Sequence, residues 1–206
     1  MTLSEVFTDF YARKVWGTAP VSGPGSTLEA TAAIRAFLPG LVETLRVSTI
    51  LDLACGDYSW FKEIVFTDPV KTIMYIGADI VPALARANQI AYGDAWHVFV
   101  TKDITCDELP WANLVLCRDC LIHLANFQIT QALANIKSSG STYLLTTSFM
   151  DQGDNPDIEP GAFHPVNLQA APFNLPAPML AFQEPASRDA WPDKCLALWA
   201  IKDMPL

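Results

Sequence analysis

The feature that most constrains this chain is a repeated unit: a short apolar run that stops at an acid, followed by a helix-like segment. Its most informative instance is Ile50-Leu-Asp-Leu-Ala-Cys-Gly-Asp-Tyr-Ser-Trp60. An apolar run ending in an acid, a small residue and a glycine suggests a strand that stops abruptly. The backbone of the next turn is then presented to a nucleotide-like ligand. Asp79 and Asp103 sit at the ends of the next two apolar runs. A lone glycine at 56 is a weak sign. Three acids in series turn it into a hypothesis about function.

The rest of the chain keeps the alternation. Strands are expected over 49–55, 73–80, 96–101, 113–117 and 142–149, with helices over 59–66, 82–92 and 126–136. Such alternation implies parallel strands with crossover helices on both faces, the doubly wound α/β class. Runs such as Leu114-Val-Leu and Tyr143-Leu-Leu suit strands buried on both faces. Ahead of this core, 3–16 predicts a helix with Val6, Phe7, Phe10 and Tyr11 on one side. A glycine- and proline-rich loop over 16–27 ends in Ser26, which stands at capping-box spacing from Glu29. A helix of about 20 residues should follow, with Leu28, Ile34, Leu38, Leu41 and Leu45 apolar and Pro39-Gly40 bending or splitting it. Beyond 150 comes a proline-rich stretch to about 180, long enough to be functional. Two late strands, 179–182 and 196–201, have no helix between them and suggest a hairpin closing the sheet edge.

With 206 residues, 51% of them hydrophobic, the chain can bury one sizeable core. The expected organisation is a single domain over 1–206. Within it, 1–48 supplies N-terminal helices and a lid, 49–150 a cofactor-binding core, and 151–206 a substrate loop and closing strands. The net charge of −9 and the lack of any Lys/Arg run argue against nucleic acid as a partner. The five cysteines are odd in number, and Cys117-x-x-Cys120 has no second pair to complete a zinc site. They read as reduced structural thiols, with no metal expected. No apolar run approaches the ~18–20 residues of a membrane span, and the chain reads as soluble and cytoplasmic. The oligomeric state stays open.

Asp79 lies 23 residues after Gly56, close to where dinucleotide-type sites place the acid that binds ribose hydroxyls. A carboxylate suits that task because it accepts two hydrogen bonds from a vicinal diol. Asp52 reads either as a ligand-binding group or as a cap of its turn, and Asp103 either as a ligand contact or as a turn-former.

The order Asp52-Leu-Ala-Cys-Gly56, Tyr75-Ile-Gly-Ala-Asp79, Lys102-Asp103-Ile and Asn113-Leu-Val-Leu-Cys-Arg-Asp-Cys-Leu-Ile-His123-Leu resembles the class I S-adenosylmethionine-dependent methyltransferases. The resemblance covers roughly half the chain, 49–150. It implies a mostly parallel seven-stranded sheet whose last strand is antiparallel. It further implies that Ala54, Cys55 and Gly56 approach the methionine part of S-adenosylmethionine, that Asp52 lies near its ammonium, and that Asp79 holds the ribose. Asp103 would accept from the adenine amino group, with Ile80 and Ile104 against the ring. Cys117 and Arg118 would lie beside the sulfonium, Arg118 binding the cofactor carboxylate or orienting Asp119. S-adenosylhomocysteine would be the product. The family's first motif carries three alternating glycines, and here Ala54 and Tyr58 fill two of those positions. That departure predicts a different path for the turn after Gly56.

Methyl transfer from a sulfonium needs mainly alignment and removal of water, with a base when the acceptor is protonated. Candidate bases are His123, Asp119 and His164, the last expected to be solvated in the proline-rich loop. Tyr11, Trp16, Ser22 and Ser26 are candidates for a lid, with the glycine-rich turn feeding a helix start as an anion site. The acceptor is expected to be a small molecule methylated on oxygen or nitrogen, cationic or sugar-like given the acidic chain. Two other readings stay open. One is a non-catalytic cofactor-binding module of the same fold. The other is a nicotinamide-dependent oxidoreductase, which predicts a G-x-G-x-x-G that residues 51–61 lack.

Overall fold

The computed structural model describes residues 1–66, 73–185 and 191–205. Seven strands, β1 (Thr49–Leu53), β2 (Met74–Asp79), β3 (His97–Thr101), β4 (Leu114–Cys117), β5 (Tyr143–Phe149), β6 (Leu180–Gln183) and β7 (Lys194–Ala200), form one sheet of order β3-β2-β1-β4-β5-β7-β6. The chain divides into two compact units, 1–101 and 102–206.

In the first unit, α1 (Leu3–Arg13) begins at a capping box. The Thr2 hydroxyl accepts from Glu5 N–H at 3.2 Å while the Glu5 carboxylate accepts from Thr2 N–H at 2.8 Å. The expected box at Ser26 and Glu29 does not form. Pro24–Ser26 is a single 3₁₀ turn, and the Thr27 hydroxyl accepts from Ala30 N–H instead. Thr31 then closes that turn by donating its hydroxyl to the Thr27 carbonyl at 2.7 Å. Helix α2 (Ala32–Thr44) starts one turn later than expected and has 13 residues, leaving Leu28 half exposed. It runs through Pro39 and buries Ile34, Leu38, Leu41 and Val42 along one stripe.

Strands β1 (Thr49–Leu53), β2 (Met74–Asp79) and β3 (His97–Thr101) pair in parallel, and α3 (Pro82–Tyr92) links β2 to β3. Register sets Asp52 opposite Gly77 and Asp79 opposite Thr101. The helix expected over 59–66 shrinks to a 3₁₀ turn at Phe61–Glu63. Tyr58, Trp60 and Phe61 are all buried, and adjacent buried rings do not suit a helix with one apolar face.

In the second unit, β4 (Leu114–Cys117) and β5 (Tyr143–Phe149) are parallel. Helix α4 (Asn126–Ser138) lies between them in sequence. Every residue of β4 is fully buried, as expected for a strand covered on both faces. Strands β6 (Leu180–Gln183) and β7 (Lys194–Ala200) pair antiparallel, and β7 runs antiparallel to β5 with Phe149 opposite Lys194. The expected late hairpin is therefore present, with β6 at the edge. Among the described residues, no helix is long and apolar enough to cross a membrane. No group of three or more His, Cys, Asp or Glu among them is placed to hold a metal ion.

Candidate functional site

The turn after β1 carries a backbone signature. Ala54, Gly56 and Tyr58 have φ of +60°, +59° and +58°. These are the three alternating positions where the resemblance calls for glycine. Ala54 and Tyr58 adopt the left-handed conformation despite carrying a Cβ. The conformation costs a non-glycine residue about 1–2 kcal/mol, so surrounding contacts must hold it.

Those contacts are visible around Gly56. Its N–H donates to Asp79 Oδ2 at 3.1 Å, and its carbonyl accepts from Asn88 Nδ2 at 2.7 Å. The other oxygen of Asp79, Oδ1, accepts from Val81 N–H at 2.9 Å. Burial raises the Asp79 carboxyl above its ordinary range, and backbone amides of Val81 and Gly56 oppose that rise. Asp52 is buried and accepts from the Tyr75 hydroxyl at 2.6 Å. Burial, then the charge of Asp52, pushes the Tyr75 phenol well up, which keeps it a proton donor. Tyr58, lying in the left-handed turn, is locked by ring contacts to Tyr75 at 4.8 Å and Phe99 at 5.0 Å.

The loop over 16–27 reaches this turn. Asp57 N–H donates to Ser22 Oγ and Val21 N–H donates to Asp57 Oδ2, both at 3.0 Å. A Cβ at Gly56 would lie 2.1 Å from Ser22 Oγ, so Gly56 is required by Ser22 as well as by its own φ. Of the proposed lid residues, Ser22 makes the contact. Trp16 packs on Phe7 and Phe10 at 5.9 and 5.5 Å, and Ser26 lies in the 3₁₀ turn. Ile80 is half-buried and its carbonyl accepts from the Ser4 hydroxyl at 3.3 Å.

In the second unit, Asp103 acts as a turn-former. Its Oδ1 accepts from Thr105 N–H at 2.9 Å and from the Thr105 hydroxyl at 2.6 Å. Ile104 and Cys117 are buried. Arg118 is committed to protein carboxylates: Nε reaches Glu184 Oε1 at 2.7 Å and Nη1 reaches Asp119 Oδ2 at 3.3 Å. The contact with Asp119 is the geometry that the second reading of Arg118, orienting Asp119, calls for. Lys194 pairs with Asp119 at 2.8 Å and with Glu184 at 3.3 Å. Thr147 Oγ accepts from Asp119 N–H at 2.8 Å. Burial raises the Asp119 carboxyl, but Arg118 and Lys194 outweigh it and hold the group down at about 2. A carboxylate so stabilised is a poor base, which corrects that candidacy.

His123 follows β4 on a 3₁₀ turn (Leu121–His123). Its Nδ1 lies 2.9 Å from the Ala162 carbonyl, so Nδ1 carries the hydrogen and the basic lone pair belongs to Nε2. Burial lowers its pKa, which keeps the ring neutral at pH 7. His164 is not solvated as expected; it is 3% exposed, with Nδ1 at 2.8 Å from Pro156 O and Nε2 at 3.1 Å from Leu124 O. Both nitrogens face carbonyls, so it serves as a structural clasp rather than a base.

Sequence reasoning missed Ser22 as the contact to Gly56, and Tyr75, Asn88, Glu184 and Lys194 altogether. Tyr75 had a signal, being a polar-tipped ring in an otherwise aliphatic strand. Glu184 and Lys194 had none, since their partners lie 66 and 75 residues away.

No family model matches the sequence, and no curated protein matches it. Solved structures do resemble its fold. The magnesium protoporphyrin IX methyltransferase of Synechocystis, with bound S-adenosylhomocysteine, aligns over 72% of this chain and 73% of that one, with a TM-score of 0.51 and 17% identity. The N-methyltransferase NodS of Bradyrhizobium japonicum, in complex with S-adenosylhomocysteine, aligns over 69% of this chain and 72% of that one, with a TM-score of 0.51 and 17% identity. The fold is the Rossmann-like fold of the class I S-adenosylmethionine-dependent methyltransferases.

Proposed function

We propose that this chain is an S-adenosylmethionine-dependent methyltransferase acting on an oxygen or nitrogen of a small-molecule acceptor, working in the cytoplasm with its thiols reduced. The observation that carries the reading is the left-handed turn at 54, 56 and 58, clamped by Asp79 on one side of Gly56 and Asn88 on the other. It sets three alternating residues in the conformation that glycine adopts most readily, at the positions where the resemblance calls for glycine.

The residues present fit this cofactor. Asp79 takes backbone hydrogen bonds from Gly56, Val81 and Ile80, and of a carboxylate's roughly four acceptor sites one is left for a ribose hydroxyl. Ala54 is exposed and small, which suits close approach of a ligand to the turn. Asp52 supplies a carboxylate toward an ammonium group, and Tyr75 fixes its orientation. Contacts from Cys55, Ile80, Asp103, Ile104, Cys117, Arg118, Trp16 and Ser26 rest on the resemblance. For Asp103 and Arg118 the observed bonds leave less room for that role than for turn-forming and ion pairing.

When bound, the cofactor supplies a methyl group already activated by its sulfonium. The chain's own work is positioning, exclusion of water and proton removal. His123, which follows the fourth strand and holds Nδ1 on the Ala162 carbonyl, is the group proposed to take an acceptor proton. S-adenosylhomocysteine would be the product.

A thermal-shift comparison tests the assignment. S-adenosylmethionine and S-adenosylhomocysteine are expected to raise the melting temperature and NAD to leave it unchanged. A rise with NAD alone would replace this reading with the oxidoreductase one.

A further inference from the structure

Helix α3 buries Leu84, Ala85 and Asn88 along one stripe. An apolar residue is the ordinary choice on such a stripe. Asn88 is a poor helix former, only 3% exposed, and an unpaired amide there would be costly. Its Nδ2 donates to the Gly56 carbonyl at 2.7 Å and lies 4.0 Å from Cys55 Sγ. The other side of Gly56 is held by Asp79, whose Oδ2 accepts the Gly56 N–H at 3.1 Å. The two peptide planes that meet at the Gly56 Cα are therefore held from outside the turn, one by each residue. The Gly56–Asp57 bond is trans, so Asp57 N–H points away from Asn88, and it donates to Ser22 Oγ at 3.0 Å. Glycine itself restrains neither plane, since it moves readily between left- and right-handed conformations.

We propose that Asn88 is a positioning residue for Asp79: it fixes the Gly56–Asp57 peptide, Gly56 then keeps its N–H on Asp79 Oδ2, and that bond holds the carboxylate ready for a ribose diol. This deepens the methyltransferase reading and rests on it for the ligand. The path is a closed ring. Asp79 ends β2, and α3, which begins at Pro82, carries Asn88. Asn88 grips the Gly56 carbonyl, and Gly56 N–H returns to Asp79. Val81 N–H on Asp79 Oδ1 at 2.9 Å ties the acid to the start of the same helix. One helix therefore sets both oxygens of the carboxylate, one through its own first turn and the other through Asn88 and Gly56. Removing the Asn88 amide takes that donor from a buried carbonyl and opens the ring at one bond. A side chain that only filled space would be replaceable by leucine of similar size. A donor would not.

Two substitutions of similar size separate a donor from a filler. In Asn88→Leu the side chain cannot donate at any pH, whereas in Asn88→Asp it donates when protonated and not when ionised. The titratable neighbours of position 88 are Cys55, at 4.0 Å, and Asp79, joined through Gly56. Burial beside them raises an introduced carboxyl. The test is isothermal titration of S-adenosylhomocysteine at about pH 8 and about pH 5, with wild type at both to remove the titration of Asp79 itself. Asn88→Leu is expected to bind roughly tenfold more weakly than wild type at both. Asn88→Asp is expected to bind weakly at the higher pH and to recover to within about threefold of wild type at the lower. Wild-type affinity in Asn88→Leu, or no recovery in Asn88→Asp, would overturn the proposal. The Gly56 amide proton resonance gives a reading without ligand. It is expected to follow the titration of Asp79 in wild type and to lose that response in Asn88→Leu, and an equal response in both overturns the ring. If both variants are unfolded by circular dichroism, Asn88 holds the fold rather than the acid, and the proposal falls. Failure of the wild type to bind S-adenosylhomocysteine strikes the methyl-transfer reading, while the Gly56 resonance still judges the coupling of Asn88 to Asp79.

Discussion

Two strand ends in this molecule solve the same problem by opposite means. The turn after β1 and the turn after β4 each hold acids and left-handed residues, Ala54, Gly56 and Tyr58 in one and Asp119 in the other. The first is held by backbone amides, one asparagine and one phenol, that of Tyr75, all neutral donors. The second is held by two cations and a second carboxylate, all largely buried. Neutral donors leave the negative charge of a carboxylate in place for a ligand. Opposite charges at salt-bridge distance neutralise it and fix the strand ends to each other. The difference points to Asp79 as a ligand-binding acid and to Asp119 as an organising one.

The largest expected effect lies in the ionic cluster. Glu184→Ala removes a carboxylate that Arg118 and Lys194 share with Asp119, and removing one member of a buried pair typically costs about 3–5 kcal/mol. Urea denaturation measures it, and a cost under about 1 kcal/mol would mean that the cluster behaves like surface pairs. Gly56→Ala comes next. Left-handed strain and overlap with Ser22 together predict a loss of about 2–4 kcal/mol. Adding Ser22→Gly should recover the overlap part and leave the strain part, so a double-mutant cycle separates them.

A pH series sharpens the contrast between the two acids. The Asp119 carboxyl is lowered from 3.8 to about 2. Its contribution is therefore complete above pH 3.8 and is lost as pH falls through 2, about 2 kcal/mol in all. The stability difference between wild type and Asp119→Asn should shrink across that window. A difference that stays flat from pH 5 to pH 2 would show that the two cations do not stabilise the ionised form. The smallest effect is at Ala54, which is exposed and left-handed. Ala54→Gly relieves strain of about 1–2 kcal/mol and adds chain entropy worth about 0.5–1 kcal/mol. The net stabilisation is on the order of 0.5 kcal/mol, and thermal unfolding gives its sign.

The same contrast explains what the sequence revealed. Acids at the ends of β1 and β2 were readable because run ends and a 23-residue spacing are local patterns. Helix α3 was readable to the residue because Pro82 marks its first turn. The left-handed conformation at Ala54 and Tyr58 left no local trace, since it is held by tertiary contacts to Tyr58 and Gly56. The start of α2 was misplaced because two hydroxyls, Thr27 and Thr31, outcompete the Ser26 cap. The roles of Arg118 and Asp119 were legible only as alternatives. Their partners Glu184 and Lys194 arrive from strands far along the chain, and no local pattern encodes that meeting. His164 looked like a loop residue because burial of a proline-rich segment leaves no periodic trace.

The central claim is that Asp79 is the ligand-binding acid and Asp119 the organising one. Isothermal titration of S-adenosylhomocysteine into wild type, Asp79→Ala and Asp119→Asn tests it most directly. The prediction is saturable binding to wild type, binding within a fewfold of it in Asp119→Asn, and none detectable in Asp79→Ala with the fold intact by circular dichroism. Equal binding in wild type and Asp79→Ala, or no binding to wild type, would contradict it.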